Sequence, residues 1–198
     1  DVYKRQEREL GGIVNFIAFR QAVAGYNRIK EKSKPILTLI DFSKPSTEKR
    51  FFVFDMEKKQ LLYSSVVSHG RNSGENYATS FSNQNGSYKS SLGFYLTENT
   101  YQGGNGYSLI LNGLEKGIND KAKERSIVVH GASYANPTVA ASGRLGRSLG
   151  CPALPTKLAK PIINTIKDGS VMFIYANNSS YLAQSDILKN VSAPMPAL

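Results

Sequence analysis

Ser126-Ile127-Val128-Val129-His130-Gly131 is an apolar run ending on an imidazole, and Arg147-Ser148-Leu149-Gly150-Cys151-Pro152 follows it after a polar loop. The first stretch reads as a short β-strand. The second holds the single cysteine of the chain. A free thiol titrates near about pH 8.5, and only the thiolate attacks carbonyls well, so a nucleophilic sulfur needs a neighbouring base. A lone Cys is often a small apolar core filler. The flanks here are Ser, Gly, Pro and the arginines Arg144 and Arg147, which do not form a core strand and do supply positive charge. Gly150 permits positive φ or a close backbone approach beside the sulfur. The local reading is a Cys151 nucleophile with His130 as its base.

Working outward, further β-rich runs span Ile36-Phe42, Arg50-Met56, Leu61-Ser68, Gly93-Thr97, Ser108-Asn112 and Ser170-Ala176. Glu57-Lys58-Lys59-Gln60 is a turn of hairpin length between two of them. Many short strands with few helices predict a mainly β, sandwich-like or barrel-like fold. Helices are expected over Ile118–Arg125 and near Thr156–Ile166, where Pro161 should kink or shorten the second. Leu10, Ile13, Val14, Ile17, Ala18, Val23, Tyr26 and Ile29 recur at helical spacing and predict an amphipathic N-terminal helix ending near Lys32. The expected organisation is a helical segment over 1–34, a catalytic domain over 35–177, and a tail over 178–198 that is loosely ordered. Asp1 to Gln6 read as translated adapter sequence and are set aside from the fold.

Two long loops rich in Ser, Asn and Gly, Arg71 to Ser91 and Ala132 to Arg147, are expected to frame the site. Tyr77, Phe81, Tyr88 and Tyr134 either line a groove there or pack beneath the loops. His69 closes Val66-Val67-Ser68 before Gly70, a setting that mirrors His130 before Gly131. It is read either as a hydrogen-bonded structural residue or as a substrate contact. Gly103-Gly104-Asn105-Gly106 and Gly143-Arg144-Leu145-Gly146 match neither a P-loop nor a dinucleotide fingerprint and are read as turns.

Composition bounds the partners. The chain has 198 residues, 40% hydrophobic, enough for one domain with its own core. One Cys allows no internal disulfide, and His69, His130 and Cys151 are too few for a structural zinc site, so no cofactor is expected. No apolar run reaches the length of a membrane span. The 25 basic and 15 acidic residues leave a net charge of +10, which favours anionic partners. Nucleic acid is not expected, because no zinc-finger, helix-turn-helix or aromatic RNA-binding pattern is present.

His130-Gly131 followed by Ser148-Leu149-Gly150-Cys151-Pro152-Ala153-Leu154-Pro155 resembles the signature of the L,D-transpeptidase catalytic domain, and most closely its murein L,D-transpeptidase branch. Ser68-His69-Gly70-Arg71, Asn76-Tyr77-Ala78-Thr79, Phe81-Ser82-Asn83, Ser90 to Tyr95, Gly106 to Leu109 and Gly117 to Asp120 extend the likeness from about Thr38 to Ala176. The resemblance implies an L,D-transpeptidase-like β fold. It also implies cysteine-dependent acyl transfer on peptidoglycan stem peptides, with release of terminal D-Ala through a thioester and either a 3→3 cross-link or hydrolysis. Cys151, His130 and Gly150 would then be catalytic, with Ser148, Arg147, Arg144, Gly131, His69 and Tyr77 toward substrate. A periplasmic or other extracytoplasmic place and a monomeric state are expected with it.

Two departures from the wider superfamily stand out. Leu149 replaces a His, and Ala153 replaces an Arg assigned to the substrate carboxylate, which leaves Arg147, Arg144 or Arg71 to supply that charge. Two other classes stay open on the residues alone: a thiol hydrolase or amidase acting on another amide, and a catalytically silent basic wall-binding module.

Overall fold

The computed structural model describes residues 12–191. Its first element, helix α1 (Phe16–Arg28), starts at Asn15, whose side chain accepts the N–H groups of Ile17 and Ala18 and so satisfies two otherwise orphaned donors. The helix buries Ala18, Phe19, Ala22, Val23 and Gly25. A Cβ at position 25 would stand 2.0 Å from Phe94 Cζ, so only glycine lets α1 settle this closely over the sheet. Leu10, assigned to the predicted helix, lies outside the described residues.

The described residues form eight strands: β1 (Ile36–Asp41), β2 (Phe51–Asp55), β3 (Gln60–Ser65), β4 (Gly93–Gly103), β5 (Gly106–Gly113), β6 (Val128–Gly131), β7 (Ala153–Leu154) and β8 (Val171–Tyr175). They join in one sheet of order β3-β2-β1-β8-β4-β5-β6-β7. β1 with β8 and β6 with β7 are parallel pairs; the others are antiparallel. Bridges from Ser68 to Ala153 and from Gly70 to Ser148 join the chain beyond β3 to the β7 end, so the sheet curls into a nearly closed barrel. Of the two expected architectures, the barrel is the one formed. β1 and β8 are buried along their whole length, as central strands covered on both faces require.

The seven predicted strands are all present. β4 runs further than predicted, to a two-residue turn at Gly104-Asn105 in which Gly103 pairs with Gly106. β7 was not predicted, and two residues are too short to carry a periodicity.

Three expectations are corrected. Residues 118–125 form successive turns rather than a helix: Asn119 sends its side-chain amide to Leu92 O and Phe94 O and its carbonyl oxygen to Glu115 N–H. Such side-chain bonds compete with a helical ladder. Helix α2 (Thr156–Ile166) runs unbroken through Pro161 and buries Ala159, Ile162, Ile163 and Ile166. Beyond Asn177 the chain is ordered up to Val191, with helix α3 (Ser179–Gln184) capped by Asn178 and Tyr181 and Leu188 buried. Glu115 anchors it, accepting Phe94 N–H at 2.9 Å, the Tyr181 hydroxyl at 2.8 Å and the Ser185 hydroxyl.

Candidate active site

β6 carries His130 at its end, and β7 lies parallel beside it with Ala153 opposite His130. Cys151 sits two residues before Ala153, so it lies level with Val128, two register positions from His130, an offset that keeps both side chains on one face of neighbouring strands. The turn that delivers the sulfur depends on Gly150, at φ +128. A Cβ there would meet Ile127 Cδ1 at 2.9 Å, Lys89 O at 3.0 Å and Arg125 Nη2 at 3.3 Å. Ser148 closes the turn: its hydroxyl donates to Cys151 O at 2.6 Å and accepts Gly150 N–H at 3.1 Å. Both bonds of the Ser148 hydroxyl thus go to the turn.

Cys151 is buried, 9% exposed. Val128 N–H donates to it at 3.4 Å, and the thiol donates to Ser126 O at 3.5 Å. Burial pushes this thiol above its ordinary value, opposed by the Val128 N–H and the charge of Arg125. The resting group is a thiol, and chemistry requires a base. His130 is buried, with Nδ1 2.9 Å from Gly131 O. A carbonyl only accepts, so Nδ1 carries the hydrogen and Nε2 of the neutral ring holds the basic lone pair. No hydrogen bond joins the two side chains among the described residues.

Gly131 orients the His130 ring and admits a neighbouring helix. Its carbonyl fixes the His130 tautomer, and a Cβ there would stand 2.8 Å from Ala159 Cβ, so its bareness admits α2 against β6.

His69, expected as a structural residue or a substrate contact, takes the structural place. It is 1% exposed, its Nδ1 accepts from Arg50 Nη2 at 2.8 Å, and its Nε2–H donates to Gly74 O at 3.0 Å. Burial and the Arg50 charge lower its pKa to about 4, so the ring is neutral. No ring nitrogen is left for a ligand. Its backbone carbonyl nevertheless holds Ser148 N–H at 2.9 Å, tying this strand to the nucleophile turn. Arg50 is itself fully buried, bonded to Val67 O and Lys44 O and lying 4.8 Å from the Phe42 ring centroid.

The three candidate arginines separate. Arg144 Nε and Arg147 Nη1 share the carboxylate of Glu75, at 3.0 and 3.2 Å, and Arg147 also donates to Arg71 O and Gly74 O. Arg71 instead stacks over the Tyr88 ring at 4.5 Å and pairs with no carboxylate among the described residues. Its N–H bonds Ser148 O at 2.8 Å, which places it against the nucleophile turn. Tyr77 and Leu149 are exposed.

Two residues near the sulfur escaped the sequence reading or were left open by it. Arg125 carries no motif in the sequence, yet its guanidinium lies against Gly150 and its charge reaches Cys151. Tyr134 packs on Gly146, where a Cβ would stand 2.3 Å from its own, and burial with the Cys151 charge raises its hydroxyl to about 12. Among the described residues, no three His, Cys, Asp or Glu side chains gather to hold a metal ion.

Solved structures that this chain is similar to include L,D-transpeptidase 3 from Mycobacterium tuberculosis (12% identity, TM-score 0.46, covering 72% of this chain and 61% of that one). An L,D-transpeptidase from Mycobacterium smegmatis matches at 12% identity and TM-score 0.44 over 72% of this chain and 59% of its own. A mutant of the helical cell shape determining protein Pgp2 from Campylobacter jejuni matches at 14% identity and TM-score 0.49 over 84% and 58%. The chain thus spans about three fifths of the length of these proteins. No curated protein sequence matches it. The family model of the L,D-transpeptidase catalytic domain matches residues 11–175, from before α1 to the end of β8, and the chain belongs to that family.

Proposed function

We propose that this domain carries out cysteine-dependent acyl transfer on peptidoglycan stem peptides outside the cytoplasm, acting as a monomer. The observation that carries the reading is the sulfur held on the Gly150 turn, two register positions along the neighbouring strand from an imidazole whose Nε2 holds the basic lone pair. His130 takes the thiol proton as Cys151 Sγ bonds to the carbonyl carbon of the third stem residue. The C–N bond to terminal D-Ala then breaks, and the proton on His130 passes to the departing amine. An acceptor amine attacks the thioester and returns its proton to His130, restoring the thiol; water in its place gives hydrolysis.

The tetrahedral oxyanion needs preorganised donors, each worth about 3 kcal/mol. Gly150 N–H already bonds Ser148, and Pro152 has none. Leu149 N–H and Cys151 N–H are engaged by no group among the described residues and fit that role. Arg71 fits the stem carboxylate better than Arg144 or Arg147, which Glu75 already occupies. Exposed Leu149 and Tyr77 offer apolar contact beside it.

Mass spectrometry of the protein with disaccharide-tetrapeptide tests the reading. Loss of D-Ala with an acyl adduct on Cys151, abolished in Cys151→Ser, is expected. An alkylatable Cys151 that leaves tetrapeptide stems intact would instead indicate an amidase of another specificity.

A further inference from the structure

Arg125 precedes β6 by a short turn, and its guanidinium is fixed from several sides. Nη1 donates to Ser82 O at 2.9 Å and Ser91 Oγ at 2.8 Å, while Nη2 donates to Ser87 Oγ at 3.1 Å and Lys89 O at 2.7 Å. Its Nε is buried without a partner. No carboxylate pairs with the group among the described residues, so its charge is not neutralised locally. The free faces of the site meet at the same point: Nη2 and Lys89 O both press on the space that a Cβ of Gly150 would fill, and the next residue, Ser126, accepts the Cys151 thiol.

We propose that Arg125 is a positioning residue that holds the 82–91 loop against the nucleophile turn and supplies the fixed positive charge balancing the Cys151 thiolate. A cation tied at four points cannot swing out to water, so its field at the sulfur is preorganised rather than induced. The other titratable group whose field reaches the sulfur is Tyr134 from the 132–147 loop, with His130 two register positions away on β6; Tyr95 lies within the field of Arg125. Neither tyrosine is anionic near neutral pH, since burial raises both. Arg125 is therefore the one permanent charge among them. It also explains why a loop dense in serine is ordered: its hydroxyls and carbonyls are the acceptors that a guanidinium needs.

The inference rests on Cys151 being the nucleophile, but its test needs no muropeptide, so its failure is distinct from failure to release D-Ala. The rate of iodoacetamide alkylation is followed against pH for the parent, Arg125→Gln and Arg125→Lys. Arg125→Gln is expected to move the midpoint up by about one pH unit, a tenfold loss of thiolate at neutral pH, with Arg125→Lys between it and the parent. Should Arg125→Gln not fold, the double substitution Ser87→Ala and Ser91→Ala, which loosens the guanidinium without removing it, is expected to move the midpoint in the same direction by less. A midpoint unchanged from the parent in Arg125→Gln, or in the serine pair taking its place, overturns the proposal.

Discussion

An added methyl at position 150 would have to displace Ile127 Cδ1, the Lys89 carbonyl and the Arg125 guanidinium at once, in a backbone conformation at φ +128 that L residues rarely adopt. Gly150→Ala is therefore expected to lower stability by about 1–3 kcal/mol in urea denaturation and to slow alkylation of Cys151 at least tenfold, because the sulfur moves with the turn. His69 gives a prediction of the opposite kind, far from reactivity. Its ring is held neutral in the fold, with a pKa near 4, whereas the unfolded chain protonates near 6.5. As pH falls through 6.5 the unfolded state takes up a proton that the folded state refuses until about 4. Stability present above 6.5 is thus lost progressively on acidification, by about 1–1.5 kcal/mol at pH 5.5. Urea midpoints at pH 7.5 and 5.5 should show this fall in the parent and a shallower one in His69→Gln. The two histidines also mark how far local sequence reaches. Val-Ser-His-Gly and Val-Val-His-Gly look alike, and what separates them is Arg50, a buried cation 19 residues away whose charge no window around His69 contains.

Strands and helices were legible wherever their pattern was internal to them. β1 and β8 announce themselves as apolar runs, and the Cys151 turn as a cluster of Gly, Ser and Pro, because the reasons for those conformations lie within a few residues. Residues 118–125 misled because a helical pattern of apolar positions was overruled by Asn119, whose side chain reaches back to β4. Arg125 stayed hidden for the same cause: its acceptors lie 34 to 43 residues upstream. The C-terminal segment was misjudged since its holds lie far away in sequence: the buried carboxylate of Glu115, and Arg28, which donates to Ile187 O and Lys189 O. Burial raises the pKa of Glu115, and three donors from β4 and the α3 region satisfy it. Replacing it with Ala leaves those donors buried and unmet, at about 2–4 kcal/mol in all. Limited proteolysis of Glu115→Ala should then cut between 178 and 191 well before the barrel, while the parent resists; equal resistance of both would mean that the segment is held by Arg28 and by Tyr181 and Leu188 packing.

The whole chain carries ten net positive charges, and the two loops over 71–91 and 132–147 contribute Arg71, Lys89, Arg144 and Arg147 to that field. Glu75 neutralises part of it at Arg144 and Arg147, while Arg125 acts directly on Cys151 and Arg71 lies against the turn that carries it. A field spread over the whole surface acts at long range and is screened by salt over about 10 Å at 0.1 M, whereas a guanidinium fixed against the Gly150 turn acts at contact and is screened far less. These two parts of the electrostatics can be separated by substrate size. On intact sacculi, a large anionic polymer, the rate of D-Ala release should fall about threefold or more as ionic strength rises from about 0.05 to 0.3 M, because encounter is steered by the surface field. On soluble disaccharide-tetrapeptide at saturating concentration the same change should matter by less than about twofold, since steering no longer limits the rate and the fixed charge is shielded from ions. An equal salt response on both substrates would place the whole effect at the site and leave the surface charge without a part in binding the wall.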